Sequence, residues 1–512
     1  MSKISIFLFL ILSTKPANAV TLVFSNDVYG ELETCGCRSN PMGGLVRKQN
    51  YLLSLKDDLL QLDAGNLLFS SLDPPESLKT QQIEQAKTLL KAHDLMKHDA
   101  AVPGTKDFAF GVKTFFDLVK KSKIQYLAAN LTYKNKHVFP PYKIFKKKNK
   151  DGKTIKIGVF GLLHPQLPWP KSIHIKAPIE SAKKIISELK KQNVDLIIAL
   201  THQGLENDKK LAQNTDGIDF IVGGGSEAFL QTPLKIKKTF ILQSSFRNQY
   251  IGVIPHLETK KIPESHLEPL EEKWDDPPGK FSEIHKLIDK FKKNLKKLSV
   301  IKITKKTNGT KEYGTFPQCV GCHQVQFDFW RKTNHANALK VLYDSKQLYQ
   351  RECMNCHSLG KSLTAPLQSY ETLAIRSYQK EKKSKYGLKK YSLIEEKISP
   401  EEITPFLNKI HSADEKKTMF FRKKDPSYLK GTPSQTIHPF KKIWGSVQCE
   451  HCHQTQQNHP FSENPQGSQR ITEKTCLKCH NYERSNEWFT SDKKLDKKLF
   501  KIKLKMISCP RE

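Results

Sequence analysis

Four copies of one short pattern, Cys-x-x-Cys-His, carry the most specific chemistry in this sequence. They are Cys319-Val320-Gly321-Cys322-His323, Cys353-Met354-Asn355-Cys356-His357, Cys449-Glu450-His451-Cys452-His453 and Cys476-Leu477-Lys478-Cys479-His480. Two thiols at this spacing, followed at once by an imidazole, form the attachment signature of c-type haem. The thiols make thioethers to the haem vinyl groups and the histidine binds iron from one face. The pattern therefore implies four haem c groups, with His323, His357, His453 and His480 as proximal ligands. Structural zinc is the competing use of paired Cys-x-x-Cys, but zinc has no need of a histidine after every second cysteine.

The sixth iron ligand decides what such a haem does. A second histidine gives a low-potential transfer haem, methionine raises the potential, and an open position permits substrate chemistry. Between the first and last motifs the methionines are Met354 and Met419, whereas His335, His411, His438, His451 and His459 are available. His335, His459, His438 and His411 are the candidate distal ligands. His451 lies inside a motif and is expected to face solvent or a propionate.

The elements that must position these groups fall into two parts. Residues 20–257 alternate short apolar runs with amphipathic stretches. Val20–Ser25, Leu59–Leu62, Thr154–Leu163, Val194–Leu200 and Ile218–Val222 read as buried strands, and Ser77–Met96, Val112–Lys121 and Ile179–Gln192 as helices. Such alternation predicts an α/β layered domain. Residues 258–315 read as a Pro- and charge-rich linker followed by a helix, with Ile284, Leu287, Ile288, Phe291, Leu295 and Leu298 on one face. Residues 316–484, which hold the four motifs, read as a mainly α or irregular domain whose core is largely haem. Residues 485–512 read as a basic tail.

The chain begins with Lys3, an apolar run from Ile4 to Leu12, and the small-residue site Ala17-Asn18-Ala19. This is the pattern of a secretory signal peptide over residues 1–19, and the apolar run is too short to span a bilayer as an anchor. The expected location is periplasmic or otherwise extracytoplasmic, with no transmembrane segment in the mature chain. The net charge is +33. Four haems would add about eight negative charges through their propionates, two each, and leave a strongly basic protein. Such a field favours redox partner proteins with acidic docking faces; nucleic acid is not an expected partner. Eight of the 11 cysteines belong to the motifs, which leaves Cys35, Cys37 and Cys509. Pairing of Cys509 with Cys35 or Cys37, and use of Cys35 and Cys37 as metal or redox ligands, both stay open.

Several N-terminal segments resemble the secreted 5′-nucleotidase branch of the metallophosphoesterase family. They are Phe24-Ser25-Asn26-Asp27-Val28-Tyr29-Gly30, Gly43-Gly44-Leu45, Leu62-Asp63-Ala64-Gly65-Asn66, Gly104-Thr105-Lys106-Asp107-Phe108, Leu200-Thr201-His202-Gln203-Gly204 and Val222-Gly223-Gly224-Gly225-Ser226-Glu227. The resemblance implies a four-layer α-β-β-α sandwich. It also implies a two-metal centre built on Asp-x-His, Gly-Asp, Gly-Asn-His, a lone His and Gly-His-x-His. Asp27 and His202 match that pattern, whereas Tyr29, Asn66, Thr105, Gly225 and Glu227 replace its other ligands and Lys106 its catalytic histidine. Such a set does not supply the charge and imidazole that a two-metal site needs. The expectation is a vestigial metal site at Asp27 and His202, no divalent metal centre and no hydrolysis.

Over about 316–484 the chain resembles the tetrahaem cytochromes c that carry electrons away from hydroxylamine oxidation. Trp330-Arg331-Lys332-Thr333-Asn334-His335 looks like their Trp-x-x-Thr/Ser-x-His segment, and Val447 to His459 like their third haem segment, with Gln454, Thr455 and Gln456 in place of the usual Gly-Pro-Gly. The functional expectation is an electron carrier. The alternatives are an oxidoreductase acting on a small nitrogen or sulfur species at an open haem, and a residual metal-dependent phosphoesterase.

Overall fold

The computed structural model describes residues 19–34, 41–260 and 264–298, together with segments of 323–357, 375–380, 391–396, 447–453 and 471–510. The expected signal sequence before Ala19, and Cys35, Cys37, Cys319, Cys322, His411, His438 and His459, lie outside the described residues. The chain divides into two compact units. The first comprises residues 1–35, 41–74 and 82–289, and the second holds the remainder, including everything from Lys290 onward.

The first unit contains β1 (Val20–Ser25), β2 (Asp58–Asp63), β3 (Ala100–Ala101), β4 (Gln125–Tyr126), β5 (Leu131–Tyr133), β6 (Lys136–His137), β7 (Tyr142–Lys148), β8 (Thr154–Leu163), β9 (Ile173–Ile175), β10 (Leu196–His202), β11 (Phe220–Gly224), β12 (Leu234–Ile236), β13 (Thr239–Leu242), β14 (Tyr250–Ile254) and β15 (His266–Pro269). They form two six-stranded sheets, ordered β15-β14-β1-β2-β3-β4 and β12-β13-β11-β10-β8-β7, and a small sheet β6-β5-β9. In the first sheet β1 to β4 run parallel; in the second β8, β10, β11 and β13 do, with antiparallel strands at the edges.

Parallel strands need both faces covered, and their sequences read as continuous apolar runs for that reason. Strand β10 is buried along its whole length. On one face Phe160, Leu162, Ile197, Ala199, Ile221 and Ile241 pack under helices α4 (Pro178–Lys191) and α5 (Leu205–Asn214). On the other face Val159, Ile198, Leu200 and Val222 are fully buried toward the first sheet. The sheets meet closely: Lys147 Nζ donates to the Leu59 carbonyl at 2.5 Å, and a Cβ on Gly161 would stand 2.1 Å from the Leu127 carbonyl oxygen. Lys48 of α1 (Leu45–Ser54) reaches Ser25 of β1 at 3.2 Å and His93 of α2 (Lys79–Leu95) at 3.4 Å, while α3 (Val112–Val119) buries Phe115 and Leu118. Helix α1 is entered through Gly43 and Gly44, whose φ values of 93° and 96° suit glycine.

One feature departs from the sequence reading. Residues 258–280, expected as linker, contribute the edge strand β15, whose residues His266–Pro269 pair with Tyr250–Val253 of β14. Pro269 is tolerated there because an edge strand leaves one row of backbone groups unpaired. Helix α6 (Glu283–Leu298) then buries Ile284, Ile288, Phe291 and Leu295, the face expected from the sequence.

In the second unit the described elements are short: α7 (Gln324–Trp330), α8 (Arg351–His357), the hairpin β16 (Ile375–Lys380) and β17 (Tyr391–Glu396), α9 (Cys449–His453), α10 (Glu473–Leu477) and α11 (Lys497–Ile507). No helix among the described residues is long and apolar enough to cross a membrane.

Two measurements test this packing. Gly161→Ala forces a methyl against a backbone carbonyl and is expected to destabilise the first unit by about 1–3 kcal/mol, read by urea denaturation. Asp208, fully buried on α5, accepts from Thr201 Oγ1 (2.6 Å), Gln203 Nε2 (2.9 Å) and Gln243 Nε2 (3.3 Å). Burial pushes its carboxyl up to about 7, against the pull of those donors. A carboxyl raised in the folded state stabilises below its unfolded value and loses that stabilisation as pH rises toward 7. Asp208→Asn should therefore lose less stability than the parent between pH 5 and pH 7.5. Equal losses would contradict the assignment.

Candidate functional site

The carboxyl ends of the parallel strands converge in the first unit, the usual place for a site in an α/β sheet. Asp27 follows β1, Asn66 follows β2, Thr105 and Lys106 open a short 3₁₀ turn after β3, His202 ends β10, Gly225 and Glu227 follow β11, and Arg247 follows β13. Asp27, Tyr29, Asn66, Glu227, Ser245, Arg247 and Asn248 all have φ between 51° and 87°. A run of non-glycine residues in the left-handed region costs about 1 kcal/mol or more each, and here it turns these loops inward.

Asp27 is buried, and both of its carboxylate oxygens accept N–H donors. Oδ1 accepts from Asn66 Nδ2 at 2.9 Å, and Oδ2 from Asn26 Nδ2 at 3.0 Å and the Gly225 amide at 2.9 Å. Asn66 Oδ1 accepts from the Lys106 amide at 2.9 Å. His202 is buried with Nδ1 on the Ala64 carbonyl at 2.8 Å, and burial foremost lowers its pKa. A Cβ on Gly225 would lie 3.2 Å from the His202 ring.

Beside this pair lies a cluster of opposite character. Tyr29 donates to Glu227 Oε1 at 2.7 Å, and its ring carries Lys106 Nζ 3.7 Å from the centroid on one contact and the Arg247 guanidinium at 5.7 Å on another. Arg247 also pairs with Glu31. Burial, with the Asp27 and Glu227 carboxylates, holds the Tyr29 phenol far above its ordinary pKa, so it stays a donor. The structure thus brings Asp27 and His202 together with Tyr29, Asn66, Lys106, Gly225 and Glu227. These residues do not fit a pair of divalent ions: the carboxylate is engaged by three N–H groups, and an ammonium and a guanidinium flank the neighbouring ring. Among the described residues no group of three or more His, Cys, Asp or Glu side chains is placed to hold a metal. The sequence reading missed Asn26 and Arg247, whose roles come from loop geometry.

In the second unit, Cys353, Cys356, Cys449, Cys452, Cys476 and Cys479 are half-buried and Cys509 is exposed. Helix α8 holds the second motif and α9 the third, while the fourth runs from α10 into the following turn. Helical spacing sets both thiols and the histidine of each on one side. Several motifs lie near one another: the Cys479 thiol is raised first by its hydrogen bond with Cys356 and then by burial, while burial with Cys476, Cys509 and Cys449 nearby pushes Cys452 up to about 11. His453 is lowered by burial and by His323. His357 Nδ1 lies 2.5 Å from the Ala338 carbonyl and His480 Nδ1 3.1 Å from Ser485 Oγ. With Nδ1 engaged in this way, Nε2 is the nitrogen left for a metal. Thiol pairs beside imidazoles anchored at Nδ1 fit a covalently attached haem. His335 is half-buried beside His480, and the Gln448 amide donates to His451 Nδ1 at 2.9 Å.

Comparison with known proteins follows the same division. The family model described as cytochrome c554 and c-prime matches residues 318–376, which contain the first two motifs. The chain is 27% identical to human 5′-nucleotidase over 234 residues, 42% of this chain and 39% of that protein. It is 28% identical to the 5′-nucleotidase of Vibrio cholerae over 248 residues, 43% of each. The chain thus spans about two-fifths of the length of the curated relatives it matches. Among solved structures, the 5′-nucleotidase precursor of Thermus thermophilus aligns with a TM-score of 0.47 at 20% identity, covering 55% of this chain and 59% of that one.

Proposed function

We propose that this protein is an exported tetrahaem c-type cytochrome that transfers electrons, and that its metallophosphoesterase-like N-terminal unit has become a scaffold or docking surface without hydrolytic activity. The observation that carries the proposal is the fourfold Cys-x-x-Cys-His pattern, the first half of which lies within the cytochrome family match. When bound, each haem supplies one-electron chemistry at iron. The chain attaches it through Cys319/Cys322, Cys353/Cys356, Cys449/Cys452 and Cys476/Cys479, and holds His357 and His480 in a metal-binding orientation through Ala338 and Ser485.

The loss of hydrolysis is supported by the donors around Asp27 and by Lys106 on Tyr29. A metal bridge needs lone pairs that Asp27 spends on amides, and like charge from Lys106 opposes a divalent ion. The signal pattern supports a location outside the cytoplasm, and the net charge of +33 supports acidic protein partners rather than nucleic acid.

Two experiments test the proposal. Holo-protein made with the c-haem maturation machinery should show four haems per chain by pyridine haemochrome, with a low-spin ferric spectrum that cyanide leaves unchanged. A high-spin haem that binds cyanide or nitrite would favour the oxidoreductase alternative. With manganese and a nucleotide or phosphodiester substrate, turnover should not exceed background. Turnover that Asp27→Ala abolishes would restore the phosphoesterase reading.

A further inference from the structure

Helix α11 divides its surface in two. Phe500 is buried and Leu499, Leu504 and Ile507 are half-buried, whereas Lys497, Lys498, Lys501, Ile502, Lys505 and Met506 are exposed. At helical spacing the exposed residues share one half of the cylinder: a row of Lys497, Lys501 and Lys505, then Lys498, then Ile502 and Met506 one turn apart. Ile502 is 52% and Met506 66% exposed. The helix carries five lysines and no acidic residue. Among the described residues none of these ammonium groups has a carboxylate partner. We propose that the outer half of α11 is a docking face for an acidic one-electron carrier protein, and that electrons pass there to or from the haem attached at Cys476 and Cys479. This docking face rests on the tetrahaem reading and deepens it.

The inner half of α11 is joined to the fourth motif through aromatic rings. Phe500 meets Trp488 edge-on with ring centres 6.1 Å apart, and Trp488 stacks on the motif histidine His480 at 4.3 Å with planes within 9°. The helix is fixed at both ends. Asp496 caps it, accepting from the Lys498 and Leu499 amides at 2.9 and 3.0 Å, and the Asp496 amide donates to the Trp488 carbonyl at 2.8 Å. Beyond the other end, Gln326 Nε2 of α7 donates to the Pro510 carbonyl at 3.2 Å. A protein seated on the lysines therefore stands across α11 and Trp488 from the ring assigned to the fourth iron. One electron crosses between its centre and that iron. No bond forms or breaks, and one metal is oxidised as the other is reduced.

Charge and shape favour this occupant over two others. Lysines beside a small apolar centre match the anatomy of a protein interface, and a face of one helix suits the small contacts of transient electron-transfer pairs. A second copy of the same face would set lysine against lysine, which repels. A helix lying on a membrane turns a broad apolar face into the lipid, but here Phe500 is spent on Trp488, which leaves Ile502 and Met506 alone to insert. The charge of +33 draws acidic proteins to the molecule as a whole, and α11 gives them a place beside a haem motif.

The test uses full-length holo-protein and, as probe, a reduced acidic [2Fe–2S] ferredoxin mixed with it in stopped flow. Covalent haem and its reduction by dithionite are measured first. Their absence sinks the tetrahaem reading itself, whereas a haem-loaded protein that fails the later steps sinks only the docking face. Each ferredoxin rate is divided by the same protein's rate with dithionite. At about 0.01 M salt, where the Debye length is about 30 Å, Lys498→Glu with Lys501→Glu and Lys505→Glu should slow reduction by ferredoxin about tenfold. A matched control reverses Lys183, Lys184 and Lys191, exposed on α4, and should slow it about twofold at most, through net charge alone. Equal slowing by the two sets, or a parent no faster than the α11 variant, would overturn the docking face. Ile502→Ser with Met506→Ser should raise the ferredoxin concentration that gives half the maximal rate about fivefold, and an unchanged value would contradict the proposal. Should the charge-reversed chain fail to mature, Lys498→Gln with Lys501→Gln and Lys505→Gln should still slow the reaction about threefold, and no slowing would overturn it. Vesicles of phosphatidylglycerol and phosphatidylcholine are the second probe. Co-sedimentation that the α11 charge reversal abolishes, with ferredoxin rates unaffected by it, would assign the face to a membrane and overturn the proposal.

Discussion

The carboxylate of Asp27 is where the first unit is tied together. It stands at the end of β1 and is reached by Asn66 from the loop after β2 and by the Gly225 amide from the loop after β11. Its backbone continues the pattern: its amide donates to the Gly65 carbonyl at 3.0 Å and its carbonyl accepts from the Arg247 amide at 2.9 Å. A buried carboxylate needs such compensation, because leaving its charge unsatisfied would cost several kcal/mol. Three N–H donors supply it here. This arrangement ties loops from both sheets together.

The neighbouring cluster follows from the same constraint. Glu227 and Glu31 bring negative charge to the loop ends, and Lys106 and Arg247 return positive charge to them across the Tyr29 ring. The phenol is held protonated and joins the two halves as donor and as a π face. An ammonium on a flexible stem and a rigid guanidinium are poor substitutes for a Lewis acid, but adequate ones for electrostatic balance. The residues that depart from the hydrolase pattern are therefore mutually consistent, since each meets a need that another creates.

How much of this was legible in the sequence depends on how local each signal is. Strands β1 and β8 match the apolar runs Val20–Ser25 and Thr154–Leu163 to the residue, because a strand covered on both faces writes itself as an unbroken run. Helix α1 was missed because two of its inward positions are Arg47 and Lys48, which pattern reading assigns to solvent. Arg47 is instead bound to Asp275, and Lys48 to Ser25 Oγ at 3.2 Å. Strand β15 was missed because an edge strand is made by backbone pairing and needs little apolar content. The departures at Tyr29 and Lys106 were readable as substitutions in a motif, but the stacking that links them is tertiary. The haem motifs were readable because thiols and imidazole are contiguous, and for the same reason they say nothing of the opposite ligand.

The two units also differ in what holds them together. The first buries dozens of apolar side chains between its layers, whereas from Lys290 onward the buried apolar side chains among the described residues are Phe291, Leu295, Ala336, Ala338, Leu342, Trp488 and Phe500. Burial of that size, at about 25 cal/mol per Å² of apolar surface, is small against the entropy of ordering the segments involved. A haem presents a large apolar face, and four attached along these segments would supply the missing core. The short motif helices, too brief to be stable alone, would then be held by their thioethers and by imidazoles on iron. On this account the cysteines and histidines of the second unit are its architecture as well as its chemistry, while the first unit rests on a core of its own apolar side chains.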